Sequence, residues 1–102
     1  MRYISINEKE GVKTYSLKAD GDKVFMIDKK PTNFAVKEFA CKDGSDAIKI
    51  DSKLVIMLQQ IREHFGIPVV INSAYRTPEY NKKIGGATRS QHIYGKAADI
   101  TI

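Results

Sequence analysis

The chain has 102 residues, 42% of them hydrophobic and 28% charged, with a net charge of +5 and a pI near 9.4. That length sets an expectation of one domain with a modest core, and the composition is ordinary for a folded globular protein. No apolar run is long enough to suggest a membrane span. The N-terminus meets Glu8 before any apolar run develops, so it lacks the pattern of a secretory signal.

In chain order, residues 1–30 read as short strands. Ile4 and Ile6 alternate with Tyr3, Ser5 and Asn7, and Val12–Leu17 alternates again. Ala19-Asp20-Gly21-Asp22 reads as a turn with a left-handed glycine, and Val24-Phe25-Met26-Ile27 as the next strand. The expectation is a small antiparallel meander, broken by Pro31-Thr32-Asn33. Residues 34–50 read as loop. A helix should begin at Asp51 or Ser52, either of which can cap it, and Leu54, Val55, Leu58, Ile61 and Phe65 recur at helical spacing. Gly66 and Pro68 end it. His64 lies in this helix without a ligand-type neighbour and reads as a surface residue.

Ile67–Ser73 is a continuous apolar run, the pattern of a strand covered on both faces. Thr77-Pro78-Glu79 then carries the signals of a helix start, and Gly85-Gly86 those of its end. A small-residue loop delivers His92, and Lys96–Ile102 forms a last strand. On that strand Ala98, Ile100 and Ile102 share one face, and Ala97, Asp99 and Thr101 the other.

The 17 Lys and Arg residues are scattered, without a run longer than two and without interleaved aromatics, so a nucleic-acid partner is not expected. The excess fits either a solvated basic surface or attraction to an anionic cell-wall polymer. The single cysteine, Cys41, excludes an internal disulfide and reads as a small packing residue.

Three residues carry candidate chemistry. His92 and Asp99 stand seven positions apart around Gly95 and converge if the chain turns there. A catalytic zinc takes three protein ligands and keeps a fourth position for water, and His and Asp are both ligand types. By spacing alone the zinc signal is weak, and an incidental His with a structural Asp is the favoured account of the pair. Asp99, among apolar neighbours, needs a partner: zinc, a loop backbone, or Arg76. Arg76 follows the apolar run, where its fork either holds a carboxylate or developing oxyanion, or forms a salt bridge.

Taken together, Asn72–Asn81, Gly85-Gly86-Ala87 and the Ser-x-His-x-x-Gly-x-Ala-x-Asp pattern from Ser90 to Asp99 resemble the zinc D-alanyl-D-alanine carboxypeptidase family. That family groups with VanX-like dipeptidases, phage L-alanyl-D-glutamate endolysins and hedgehog-type domains. The likeness is greatest to the small peptidase C-terminal-domain branch. Phe34–Cys41 and Ile61–Gly66 are also similar to it. The resemblance covers about residues 33–102 and divides the chain into an N-terminal β-meander extension, 1–30, and a carboxypeptidase-like domain, 31–102.

The resemblance implies an α+β fold: a small antiparallel sheet carrying the zinc, with one main and one short helix packed on it. It implies that His92 and Asp99 are the first two zinc ligands and that Ser90, beside the first, helps hold substrate. Arg76 would contact substrate or transition state, and Gln91 and Tyr75 would line the cleft. Ala74 stands where the family often has Gly. In the family a later segment supplies a third ligand, a His, and a carboxylate general base. Here the chain stops three residues after Asp99, so the expected reading is a fragment of a longer product rather than an inactive natural truncation.

The implied function is a zinc peptidase acting on peptidoglycan peptides in a phage or bacterial setting. It would be made in the cytoplasm and act at the wall after export or release. The alternative is a catalytically inactive wall-binding or structural phage module on the same fold.

Overall fold

A computed structural model describes residues 2–102; Met1, the first residue of the expected meander, lies outside the described residues. The strands are β1 (Tyr3–Ile6), β2 (Val12–Ser16), β3 (Val24–Ile27), β4 (Lys30–Ala35), β5 (Ala47–Asp51), β6 (Val70–Ser73) and β7 (Asp99–Thr101). The helices are α1 (Leu17–Asp20), α2 (Ser52–Phe65) and α3 (Pro78–Lys83), with 3-10 turns at Val36–Phe39 and Gln91–Tyr94. The class is α+β, as expected.

The N-terminal strands do not form a meander. β1 pairs with β3 in parallel and β3 with β4 antiparallel, giving the order β1-β3-β4. β2 leaves this sheet and pairs antiparallel with β5. The physical reason is that β2 and α1 form a crossover between two parallel neighbours, a connection that a hairpin cannot make. The Asp20-Gly21 turn is corrected too: Ser16 caps α1 by accepting from Ala19 N, and Gly21 has φ −51°. Left-handed backbone falls instead on Asp28 (φ 50°) and Lys29 (φ 65°), the two-residue turn of the β3–β4 hairpin. Pro31 breaks nothing. It sits in β4, an edge strand, where a missing N–H costs no ladder bond.

The region expected as loop supplies both β5 and a core. Ile48 and Ile50 of β5 are buried while Ala47 and Lys49 are exposed. Phe25, Phe34 and Phe39 are buried beside them, with Phe25 edge-on to Tyr15 at 5.6 Å and to Phe39 at 5.9 Å. α2 starts and stops where expected. Asp51 accepts from Lys53 N at the N-terminus, a cap generally worth about 1 kcal/mol, and Gly66 closes the other end at φ 66°. Leu54, Val55 and Leu58 face the core, and α2 packs on β4 and β5. Gln59 adds a polar tie, accepting from Asn33 N at 3.0 Å and donating to Asn33 Oδ1 at 3.1 Å. Cys41 is buried and free, and His64 is exposed against Phe65.

Two-faced burial of the apolar run before Ser73 is not observed. Only Val70–Ser73 is strand, its exposure alternates, and Val70 is 55% exposed. Among the described residues β6 pairs with β7 alone, in a two-stranded ribbon. The last strand is likewise shorter than expected, beginning at Asp99 rather than Lys96.

Candidate functional site

The β6–β7 ladder runs Val70↔Thr101, Ile71↔Ile100, Ser73↔Asp99, so β6 carries one extra residue between Ile71 and Ser73. A bulge of this kind turns the residue beyond it to the other face. It sets Ser73 opposite Asp99, at the head of the segment that leads to Arg76.

The 3-10 turn at Gln91–Tyr94 delivers His92. Ser90 caps it, its Oγ accepting from His92 N at 3.3 Å. Gly95 closes it at φ 74° and carries its carbonyl to Asp51 N at 2.9 Å. A Cβ on Gly95 would stand 2.4 Å from the Lys49 carbonyl oxygen, so only glycine lets the turn lie this close to β5. Arg76 N donates to the His92 carbonyl at 3.0 Å, fastening the turn to the segment after β6.

His92 is 9% exposed. Its Nδ1 lies 2.7 Å from the Ala74 carbonyl. A carbonyl only accepts, so Nδ1 carries the proton and Nε2 is the free ring nitrogen. Nε2 faces Asp99 Oδ2 at 3.4 Å. That is long for a charge-assisted hydrogen bond, commonly ~2.7–2.9 Å. Two ligands each ~2.0–2.1 Å from a tetrahedral zinc stand about 3.3–3.4 Å apart, so the pair has the separation of co-ligands. The backbone bond at Nδ1 is the usual orienting contact of a metal-binding His. Among the described residues, no group of three or more His, Cys, Asp and Glu side chains is arranged to hold a metal.

Arg76 spreads its fork over three partners. Nε donates to Ser73 Oγ at 3.3 Å, one terminal nitrogen to Asn81 Oδ1 at 3.2 Å, and the other to Asp99 Oδ2 at 3.4 Å. The two open readings of Arg76 thus meet in one geometry: it does pair with Asp99, and it lies beside the oxygen that faces His92. The Asp99 carboxylate is 60% exposed, so this ion pair adds little to stability.

Of the expected site residues, His92, Asp99 and Arg76 come together, with Ser90 next to them as the cap. Tyr75 lies mostly inside. It is 7% exposed within the hydrophobic core, its N donates to the Phe39 carbonyl, and burial pushes its hydroxyl pKa up. Gln91 faces away from His92: residues i and i+3 eclipse in a 3-10 helix, and Gln91 and Tyr94 border a groove with Val12, Lys49 and Lys96.

Two contributors were not legible as site residues. Asn81, on the inner face of α3, is 2% exposed and holds Arg76. Asp43 accepts from Thr77 Oγ1 at 2.8 Å, tying the loop before β5 to the cap of α3. Hydrogen bonds from Ser45, then from Thr77, hold the Asp43 carboxyl well below the usual carboxylate range.

Residues 30–102 match the family profile described as Peptidase M15. The chain belongs to the peptidase M15 family. Its match begins beside the boundary drawn at residue 31, and it includes every residue of the His92–Asp99–Arg76 cluster. This M15 chain is also similar to the zinc D-Ala-D-Ala carboxypeptidase of Streptomyces albus G, at 32% identity over 106 aligned positions. The alignment takes in 84% of this chain and 42% of that protein, so the chain spans less than half the length of this relative. No solved structure matches it.

Proposed function

We propose that this chain supplies two of the zinc ligands and the substrate-facing arginine of a metallopeptidase that acts on cell-wall peptides ending in D-Ala. The observation that carries the reading is the pair His92 Nε2 and Asp99 Oδ2 at 3.4 Å, with Nδ1 bound to the Ala74 carbonyl. Such a donor set suits zinc, and the zinc carboxypeptidase named above supplies the substrate class. When bound in an open site of this kind, zinc furnishes an acidified water and a Lewis-acid contact for a carbonyl.

The chain's own residues do the rest of the work argued here. Ala74 fixes the ring of His92 so that a lone pair points at the site. Asp99 contributes negative charge that offsets the cation. The terminal nitrogen of Arg76 next to Asp99 Oδ2 is placed to meet a substrate carboxylate or the oxygen of a carbonyl under attack. Ser90 holds the backbone of His92 and lies beside the incoming peptide. A catalytic zinc takes three protein ligands, and a peptidase also needs a general base, a group commonly worth ~10²–10⁴ in rate. Both must come from residues outside this pair. The reaction takes place at the wall, in a phage or bacterial setting, after export or release.

Calorimetric titration with zinc tests the reading. The 102-residue chain is expected to bind zinc weakly, to lose that binding in His92→Ala and Asp99→Ala, and to leave D-Ala-containing wall peptides uncut. Binding unaffected by either substitution removes the proposed site. Tight stoichiometric binding with turnover, abolished by His92→Ala, would place the third ligand and the base among these 102 residues and overturn the expected weak binding.

The net charge of +5 favours one second reading, a non-catalytic module held to anionic wall polymers on the same fold. Salt-sensitive retention on purified wall by His92→Ala, undiminished from the parent chain, would favour it.

A further inference from the structure

We infer that Asn81 is the positioning residue of Arg76, and that Gly86 is glycine so that Asn81 can fill that role. The inference rests on the reading of Arg76 as the substrate-facing cation. Asn81 is a polar side chain in a dry place, 2% exposed, with both ends of its amide used. Oδ1 accepts from the terminal nitrogen of Arg76 at 3.2 Å, and Nδ2 donates to the Ala87 carbonyl at 2.7 Å. The partners fix which way the amide points, because a guanidinium only donates and a carbonyl only accepts.

The consequence is a bracket around the cation. Ser73 Oγ holds Nε and Asn81 holds one terminal nitrogen. The remaining nitrogen is left to the Asp99 side, where its contact is the longest of the three at 3.4 Å. A guanidinium held at two corners cannot rotate its third away from the site. The same amide also ties Arg76 to the loop that brings Ser90 and His92, through Ala87.

Gly86 closes the argument. A Cβ there would lie 2.2 Å from Asn81 Oδ1 and 2.8 Å from its Cγ, so any side chain would push the amide off Arg76. The positive-φ glycines do not include Gly86, so its backbone does not itself require glycine. The close approach to Asn81 does. The sequence interval from Asn81 to Gly86 therefore encodes the placement of a side chain five residues upstream of the asparagine.

The test reads Arg76 directly. In 15N-labelled protein, the terminal N–H protons of Arg76 that face Asn81 should exchange slowly and resonate apart from those of the other arginines. Asn81→Ala should speed that exchange at least about tenfold, the effect of losing one hydrogen bond to a charged group, while the backbone spectrum of β6 and β7 stays in place. Gly86→Ala should do the same. If Asn81→Ala fails to fold, Gly86→Ala decides. Terminal N–H protons left slow by Asn81→Ala or by Gly86→Ala overturn the inference. Zinc titration of the same samples keeps the two readings apart: loss of the zinc site in the parent chain would sink the proposed function and leave the Arg76 result standing.

Discussion

The region around Phe25 and the region around Arg76 are held by different forces. In the first, Phe25, Phe34, Phe39, Ile48, Ile50 and Val55 are buried almost completely, and apolar contact does the holding. In the second, beyond Val69, only Ala74 and Tyr75 join the buried core. There Ser73, Asn81, Asp99 and the His92 turn are fixed by hydrogen bonds and by glycines that allow close approach. Apolar burial contributes most of the folding free energy but has no direction. Hydrogen bonds contribute about 1 kcal/mol each but set orientation. The chemistry therefore sits where the packing is thin, and it depends on the thick part for a platform: β5 supports the His92 turn at Lys49 and Asp51.

The largest way to break this division is to remove residues 1–30. They lie largely outside the M15 match, yet Ile6 and Phe25 belong to the buried hydrophobic cluster and β2 is the partner of β5. Loss of one buried Phe alone costs about 3–5 kcal/mol, against a total stability of ~5–15 kcal/mol for a domain. The shortened chain is expected to be unfolded by circular dichroism. A folded product that still binds zinc would show that the C-terminal network stands without the platform.

A smaller change tests the joint between the two regions. Gly95→Ala forces a side chain into left-handed backbone and against the Lys49 carbonyl. The strain should cost about 2–3 kcal/mol, read as a lower denaturant midpoint. It should weaken zinc binding more than an equally destabilising substitution in the aromatic core does. Equal losses of zinc affinity from both would mean that the site simply follows global stability.

The smallest effect reads the core by pH. Burial first, then the charges of Glu10 and Asp20, push the Tyr15 hydroxyl up from 10.0 to about 12. The neutral phenol is the form favoured in the fold, so its contribution is complete below pH 10 and is lost as pH rises toward 12. Discounted for its partial exposure, the loss should be about 1 kcal/mol. Tyr15→Phe should flatten that part of the alkaline stability curve, leaving a weaker decline of the same sign from Tyr75. An unchanged slope would move the alkaline sensitivity out of the aromatic cluster.

Much of this was legible without the structure where the signals are local. Asp51 and Gly66 bound α2, and Thr77 with Pro78 starts α3, because caps act within a few residues of the backbone they satisfy. The Ser90–Asp99 pattern likewise carried the convergence of His92 and Asp99, since Ser90 and Gly95 shape the turn between them. Tertiary structure alone decided that β2 leaves its neighbours for β5, that Pro31 belongs to an edge strand, and that a bulge in β6 sets Ser73 opposite Asp99. It also put Tyr75 in the core and Asn81 against Arg76. Strand partners and buried polar contacts are chosen among residues far apart in the chain. Alternation, the one local guide to where a side chain points, fails at a bulge or past a strand end, which is where this protein keeps its arginine.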